Sequence, residues 1–291
     1  MSGPLILGAP IRIGFLVSIL SLVGCQFDVG IPGKILDSNP DNPPSSEITS
    51  DWILIDLSTG QVSQRAQIDD LASNVAYRTS HLVFRRINIL STPIGAQAHE
   101  SWGGSDPVQR TVAIQPFYIG VFELTRGQWL HLSSTTPWSY VIPASLVGTA
   151  YDERLPACGI DYDQVKSTCE AWPWLGSLAI PTAIQWEAAC RGGSNTLFSW
   201  GSQVDDATVR RFAVVDRRIA GSEGPHPVGT LEPNAFGMYD MHGNVWEWIQ
   251  DGVLRGGSWH DDLAVARSSN SLSVDRSMAH ALVGVRLIYV P

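Results

Sequence analysis

The sequence lacks the short motifs that carry most nucleophile, phosphate and zinc chemistry. It contains no G-x-S-x-G, no G-x-x-x-x-G-K-[ST], no G-x-G-x-x-G and no H-E-x-x-H. A serine-hydrolase elbow, a P-loop, a dinucleotide fingerprint and a zinc-protease helix are therefore not indicated. Basic charge is also scarce, since the net charge is −9, so the chain has no electrostatic footprint for nucleic acid.

Long hydrophobic runs are absent as well, and the run near the N-terminus predicts a signal peptide. Arg12 precedes eleven residues, Ile13–Val23, that are apolar apart from one glycine and two serines. This length suits a signal-peptide core and is too short to span a bilayer. The run ends in LVGC, which resembles a bacterial lipobox. We therefore expect residues 1–24 to be removed and Cys25 to carry lipid, with a buried strand ending in a cysteine as the alternative.

The next segment predicts a tether. Residues 25–50 are poor in apolar side chains and contain DSNPDNPPSSE, a composition typical of extended or disordered chain. A lipid on Cys25 would then anchor the protein to a membrane of the bacterial cell envelope. We predict that residues 51–81 form an N-terminal strand extension and residues 82–291 the main domain.

Glycine and tryptophan are plentiful in one stretch, 234–259, which reads NAFGMYDMHGNVWEWIQDGVLRGGSW. It holds five glycines and three tryptophans. Glycine supplies backbone conformations with positive φ, so this stretch predicts a folded, non-helical backbone held in place by aromatic rings.

Few helices are indicated. Thr125 with Gln128, and Thr182 with Gln185, have capping-box spacing, and each pair predicts the start of a helix. The second helix, AIQWEAACR, is followed by a glycine pair that would end it. Strands are predicted in WILIDLSTGQV, HLVFRRINIL, residues 111–118, VLRGGSW and VGVRLIYV. Short strands with two or three helices and no βαβ alternation favour an α+β fold.

Three cysteines remain after Cys25. An oxidising compartment permits a disulfide between Cys158 and Cys169, which would close a loop over CGIDYDQVKSTC. Cys190 lies among Trp and Ala on the predicted helix and is interpreted as a small buried side chain. A reactive thiol is the alternative there, with only Arg191 to lower its pKa.

Four segments in order resemble the sulfatase-modifying-factor family, whose founding member is formylglycine-generating enzyme. They are FYIGVFELTRGQW, LAIPTAIQWEAACRGG, NAFGMYDMHGNVWEW and VLRGGSW, closed by VGVRL. The resemblance covers about residue 82 to the C-terminus. It implies the C-type-lectin-like fold, an irregular α+β domain.

The resemblance also implies a chemistry that this chain is poorly equipped to perform. The founding enzyme oxidises a substrate cysteine with copper held by two thiolates just beyond the GGS motif, since soft thiolates select Cu(I). Here Ser258 matches the serine of GGS, and residues 259–291 contain no cysteine. We expect no copper. The sulfoxide-synthase branch of the family is not indicated either, because no helical domain with iron-binding histidines precedes the module.

The family's calcium site is better preserved. The GNVWEW match implies that the carbonyls of Gly243 and Val245 and the carboxylate of Glu247 bind Ca²⁺, as hard oxygen ligands for a hard cation. In the alternative interpretation, Glu247 pairs with Arg255 or Arg286 in the core. A second calcium site of the family lacks its asparagine ligands here and is not expected.

These observations favour a lipid-anchored envelope protein that binds rather than oxidises. Its ligand, a peptide, glycan or partner protein, would lie in the groove of the family's active site. The residues predicted to line it are Ser258, Trp259, His260, Asp261, Asp262, Arg267 and Asn270. The alternatives are an oxidase that forms formylglycine and a passive envelope protein without a discrete ligand.

Overall fold

The computed structural model of the chain describes residues 50–98, 100, 106–141, 152–173, 177–215 and 224–291. The predicted signal peptide, the predicted lipidation site at Cys25 and the predicted tether up to residue 49 lie outside these residues. No helix in the described ranges is long and apolar enough to cross a membrane.

The described residues form twelve strands, five α-helices and two 3-10 turns. The strands are β1 Trp52–Asp56, β2 Gln61–Arg65, β3 His81–Ile87, β4 Ser91–Ile94, β5 Arg110–Ala113, β6 Phe117–Gly120, β7 Ser177–Ala179, β8 Trp246–Ile249, β9 Val253–Arg255, β10 Leu272–Ser273, β11 Val283–Val285 and β12 Ile288–Val290. The helices are α1 Arg126–Ser133, α2 Trp138–Val141, α3 Tyr162–Glu170, α4 Ala183–Arg191 and α5 Asp206–Phe212, and the 3-10 turns are Val75–Arg78 and Leu263–Ala266.

The larger sheet is antiparallel and has six strands in the order β2-β1-β3-β6-β12-β7. The last strand of the described residues, β12, lies between β6 and β7 and pairs with both. The β1–β2 hairpin pairs with β3, where Trp52 faces Arg85 and Asp56 faces His81. The segment predicted as a strand extension therefore belongs to the same sheet as the rest of the domain.

The smaller sheet positions the motif-rich stretch. Its order is β10-β9-β8-β11, with β8 and β9 antiparallel and β8 and β11 parallel. Every residue of β8 is buried, because the strand lies between two neighbours and packs on both faces. Short strands and few helices confirm the α+β prediction.

Both predicted capping boxes are present. Thr125 and Gln128 cap α1, and Thr182 and Gln185 cap α4, with each hydroxyl accepting from the N3 amide and each glutamine accepting from the cap amide. Helix α4 ends at Gly192 in the left-handed region at φ 57°, as its glycine pair predicts.

The structure does not show the predicted disulfide, and the segment expected to be a closed loop is largely helix α3. Cys158 and Cys169 are both free and buried. Asp161 and Gln164 form a third capping box at the start of α3. Cys169 lies on the buried face of this helix with Tyr162 and Val165, so it packs as a small apolar side chain rather than as a cross-link.

Candidate binding site

The turn before β8 is built around backbone that a side chain would disturb. Gly243 has φ 96°, and a Cβ atom there would lie 2.1 Å from the carbonyl oxygen of Val214. Asn244 follows at φ 60°, and its carbonyl accepts the Trp259 amide at 2.9 Å. A main-chain hydrogen bond therefore joins the GNVWEW turn to the GGS segment, and it fixes the positions of Ser258 and Trp259.

Asp261 closes the space beside the GGS serine. Its Oδ2 accepts the Ser258 hydroxyl at 2.5 Å and the Ser258 amide at 3.1 Å. The indole of Trp246 donates to the same oxygen at 2.8 Å. Ser258 is fully buried, so its hydroxyl is engaged by protein and does not face solvent.

Trp259 and His260 form the accessible edge of this region. Trp259 is half-buried and His260 is exposed, with their rings edge to face at a centroid distance of 5.4 Å. The indole nitrogen of Trp259 is buried and has no hydrogen-bond partner among the residues that the structure describes. Asp262 is exposed and precedes the turn Leu263–Ala266. An aromatic edge of this kind is suited to contact with a partner surface.

The other two predicted groove residues point to different neighbours. The guanidinium of Arg267 pairs with Glu100 and Asp106, each at 2.6 Å, and its side chain is only 4% exposed. Asn270 donates to the carbonyl of Val265 at 2.7 Å. The structure thus brings Ser258, Trp259 and Asp261 together and places Arg267 in a buried ion-pair network.

The thiols of the described residues do not suit a copper(I) site. Burial raises the pKa of the Cys158 thiol to about 11 and those of Cys169 and Cys190 to about 12. No group of three or more cysteine, histidine or acidic side chains in the described part is arranged to hold a metal. The segment after GGS offers Asp261 where soft thiolate ligands would be needed.

Cys190 is buried, as interpreted from the sequence. Its sulfur lies 3.7 Å from Nε2 of His242. That nitrogen accepts the Ser199 amide at 3.1 Å, and Nδ1 donates to the Ala266 carbonyl at 2.7 Å. Burial lowers the pKa of His242 to about 4, so the pair is a neutral thiol beside a neutral imidazole and not a thiolate.

Glu247 makes the ion pair named above as the alternative to calcium. Its carboxylate accepts from the Arg286 guanidinium at 3.0 Å and from the Trp186 indole at 2.7 Å. Arg286 is fully buried and also donates to the carbonyls of Gly120 and Val121. A calcium ion at Glu247 would compete with Arg286.

Two further carboxylates lie close to this pair. Glu123 accepts the Val245 amide at 3.0 Å and the Asn244 side chain at 2.5 Å. Asp240 accepts the Gly229 amide at 2.7 Å, and its second oxygen is buried without a hydrogen-bond partner in the described ranges. Burial raises the pKa of Asp240 to about 6 and, with the charges of Asp240 and Glu247, raises the pKa of Glu123 well above its usual range.

These contacts give the region three carboxyl groups, Glu123, Asp240 and Glu247, around the single guanidinium of Arg286. Glu247 is engaged by Arg286, whereas Asp240 retains an unused oxygen. Calcium at Gly243, Val245 and Glu247 stays a prediction. Sequence reasoning missed Glu123 and Asp240, although Glu123 opens the E-L-T part of a family segment and Asp240 lies in the glycine- and tryptophan-rich stretch.

Known proteins match this chain both in its sequence motifs and in its fold. The family profile described as "Sulfatase-modifying factor enzyme 1-like domain" matches residues 86–290. Formylglycine-generating enzyme from Mus musculus is 33% identical over 239 residues, which are 77% of this chain and 57% of that protein. "Inactive C-alpha-formylglycine-generating enzyme 2" from Bos taurus is 33% identical over 237 residues, 60% of this chain and 77% of that protein.

A more distant relative and a solved structure extend the comparison. "Chaperone protein LppX" from Paenibacillus barcinonensis is 22% identical over 229 residues, 62% of this chain and 82% of that protein. The structure of PvdO from Pseudomonas aeruginosa matches with a TM-score of 0.62 at 23% identity, covering 72% of this chain and 94% of that one. This second likeness is one of fold. The chain thus spans little more than half the length of the mouse enzyme, and it belongs to the sulfatase-modifying-factor family with the C-type-lectin-like fold.

Proposed function

We propose that this protein is a lipid-anchored module of the bacterial cell envelope that recognises a partner protein and assists its maturation without oxidising it. The anchor would be Cys25 and the spacer residues 26–50. The recognition surface would be the edge formed by Trp259 and His260.

One observation carries the non-catalytic part of this proposal. A single carboxylate oxygen of Asp261 accepts hydrogen bonds from the hydroxyl and amide of Ser258 and from the indole of Trp246. A hard oxygen ligand that is already hydrogen-bonded three times is a poor ligand for Cu(I). The three described thiols are buried and protonated, so none of them is a ready substitute.

The relatives support both halves of the proposal. One protein 33% identical to this chain carries the name inactive formylglycine-generating enzyme, so the fold exists without the oxidase activity. Another relative is named a chaperone protein. A domain that once held a substrate polypeptide needs only its recognition surface to act as an accessory to folding or maturation.

The oxidase alternative has a direct test. Purified protein is loaded with Cu(I) and incubated with a peptide that carries the Cys-x-Pro-x-Arg motif of sulfatases, and the product is read by mass spectrometry. We expect the cysteine to survive unchanged. Conversion of the thiol to the formylglycine aldehyde would overturn the proposal.

Recognition is tested by site-specific photo-crosslinking in envelope preparations. A photoreactive residue replaces His260, and a matched control places it at Lys166, an exposed side chain on α3. We expect a defined protein adduct at position 260 only, which Trp259→Ala removes. Trp52→Ala, which alters a half-buried tryptophan on β1, should leave the adduct unchanged. Equal crosslinking at both positions would contradict a specific surface.

Anchoring is tested on the same preparations. Cys25→Ser should release the protein from membranes and abolish metabolic labelling with palmitate. Retention of both would show that Cys25 is not the lipidated residue. Calcium at Gly243, Val245 and Glu247 is proposed as a structural ion.

A further inference from the structure

The buried arginines of the described residues differ in whether the guanidinium donates to an oxygen acceptor. Six of them are buried, and five donate to oxygen acceptors. Those five and their acceptors are Arg78 with Val228 and Gly229, Arg191 and Arg255 with Glu187, Arg267 with Glu100 and Asp106, and Arg286 with Glu247. The sixth is Arg126.

Arg126 has no counter-ion within 4.0 Å in the described part of the chain, although its charge also acts on Asp152, which is held by Arg154. It is the first residue of α1, 8% exposed, and its backbone amide is taken by the Leu155 carbonyl. Its guanidinium carbon lies 5.4 Å from the ring centroid of Trp138. Its Nε is buried without a partner, and the described residues place no carboxylate within 4.0 Å of it.

The nearby acidic side chains are committed elsewhere. Asp152 forms a bidentate pair with Arg154, with distances of 3.0 and 2.8 Å. Glu123 is held by Asn244 and the Val245 amide. The ten residues from 142 to 151, which follow α2 in the chain, include no Asp or Glu. The polar atom beside the guanidinium is the sulfur of Cys158, a buried neutral thiol.

A guanidinium remains charged in proteins, and a buried charge without a close partner is unfavourable. We propose that Arg126 is an anion-binding site that takes a carboxylate group. The carboxylate would come from the terminus or an acidic side chain of a peptide, or from a small organic acid.

The surroundings favour a carboxylate over a phosphate. The site supplies one positive charge on a planar fork, which matches the charge and the two oxygens of a carboxylate. Trp138 offers an aromatic face beside it and Cys158 an uncharged thiol, so neither would neutralise a second negative charge. Arg154, a further cation in this part of the chain, is already paired with Asp152. This site involves elements other than the Ser258–Asp261 region and stands independently of the proposed function.

The first test observes the arginine directly. In protein labelled with ¹⁵N, the Nε–H resonance of Arg126 is assigned by its loss in Arg126→Lys. Sodium acetate is then titrated against sodium chloride at equal ionic strength. We expect a saturable shift with acetate alone. An Nε–H resonance that responds equally to both salts, or to neither, would overturn the proposal.

The second test uses thermal unfolding. Acetate at tenfold its dissociation constant should raise the Tm of the wild-type protein by about 3–5 °C. Arg126→Met should abolish the rise, and Arg154→Met, which removes an exposed and paired arginine, should keep it. An Arg126→Met protein that responds like the wild type would refute the site. If this variant fails to fold, the resonance titration still decides.

Two peptides of one sequence, one with a free C-terminal carboxylate and one amidated, identify the source. A Tm rise with the free acid alone indicates a peptide terminus. A rise with acetate but with neither peptide indicates a small organic acid. Both outcomes support the carboxylate site, and a rise with the amidated peptide that survives Arg126→Met would contradict it.

Discussion

Two clusters of buried charge each contact Trp186 and have opposite ratios of carboxylates to guanidinium groups. In the α4 cluster, one carboxylate, Glu187, accepts from Arg191 at 2.7 Å and Arg255 at 3.0 Å. In the acidic cluster, Glu123, Asp240 and Glu247 share the guanidinium of Arg286. The indole of Trp186 donates to Glu247, while the Arg255 guanidinium lies 5.9 Å from its ring centroid.

The α4 cluster has more guanidinium groups than carboxylates, the acidic cluster has more carboxyl groups than guanidinium groups, and the two imbalances have different consequences. Surplus guanidinium donors find backbone acceptors, as Arg191 does with Gly95 and Thr196 and Arg255 does with Ser268. The surplus carboxylates of Glu123 and Asp240 each accept one main-chain amide, from Val245 and Gly229, but burial still disfavours their charged forms. Within the described part of the chain, one oxygen of Asp240 has no hydrogen-bond partner. Only the acidic cluster should therefore respond to pH near neutrality and to added cations.

The largest effect should come from removing the one negative charge of the α4 cluster. Glu187→Gln would leave two buried guanidinium groups without a counter-ion, at a cost of about 3–5 kcal/mol. For a domain of this size we expect a Tm decrease of roughly 10 °C. Chemical denaturation and thermal scans measure it.

The control is an exposed glutamate on a helix. Glu170 pairs with Lys166 at 3.9 Å and is 67% exposed, so Glu170→Gln should change the stability by less than about 0.5 kcal/mol. Equal effects of Glu187→Gln and Glu170→Gln would show that the α4 cluster does not depend on charge balance.

The same kind of substitution should act in the opposite direction in the acidic cluster. Asp240→Asn removes a surplus charge, and asparagine tolerates the backbone φ of 56° there. Its amide oxygen can still accept from Gly229. At pH 7 we expect the variant to be more stable than the wild type by about 1–3 kcal/mol.

The pH dependence follows from the direction of the shift. Burial raises the pKa of Asp240 from 3.8 to about 6, so its stabilising protonated form is complete below the unfolded value and is lost as pH rises through 6. The advantage of Asp240→Asn should therefore appear between pH 4 and 7 and be absent at the acidic end. Unfolding at a series of pH values, in the presence of chelator, measures it. A constant difference across this range would contradict the raised pKa.

Local features of the fold could be predicted from the sequence because they depend on neighbours in the chain. The capping boxes at Thr125 and Thr182 each involve residues three apart, and both are present. Asp161 and Gln164 carry the same signal for α3. It was overlooked because two flanking cysteines suggested a cross-linked loop instead, and spacing alone says nothing about how the sulfurs are oriented.

The site was less predictable because its contacts join distant parts of the chain. Glu123 reaches the Val245 amide across 122 positions, and Arg267 reaches Glu100 across 167. Sequence patterns marked Arg267 as a polar residue after GGS and therefore as a surface residue. Its burial follows from two carboxylates that only the tertiary fold brings to it.

The smallest effect, and the one that decides what the acidic cluster is for, is the response to calcium. If the ion binds at Gly243, Val245 and Glu247, its positive charge would compensate the nearby carboxylates and favour their ionised forms over their protonated forms. Chelation should then lower the Tm by about 2–5 °C, through the linkage of binding to stability.

Variants separate calcium from a general salt effect. Glu247→Ala should abolish the response, and Glu247→Gln tests the same point with less disturbance of the Arg286 environment, since the amide oxygen can still accept from Arg286. Magnesium should not replace calcium, because it demands a tighter octahedral shell. An unchanged melting curve on chelation would mean that the surplus charge is held by protons on Glu123 and Asp240. The acidic cluster would then differ from the α4 cluster in its response to pH and not in its response to calcium, and the calcium prediction would be wrong.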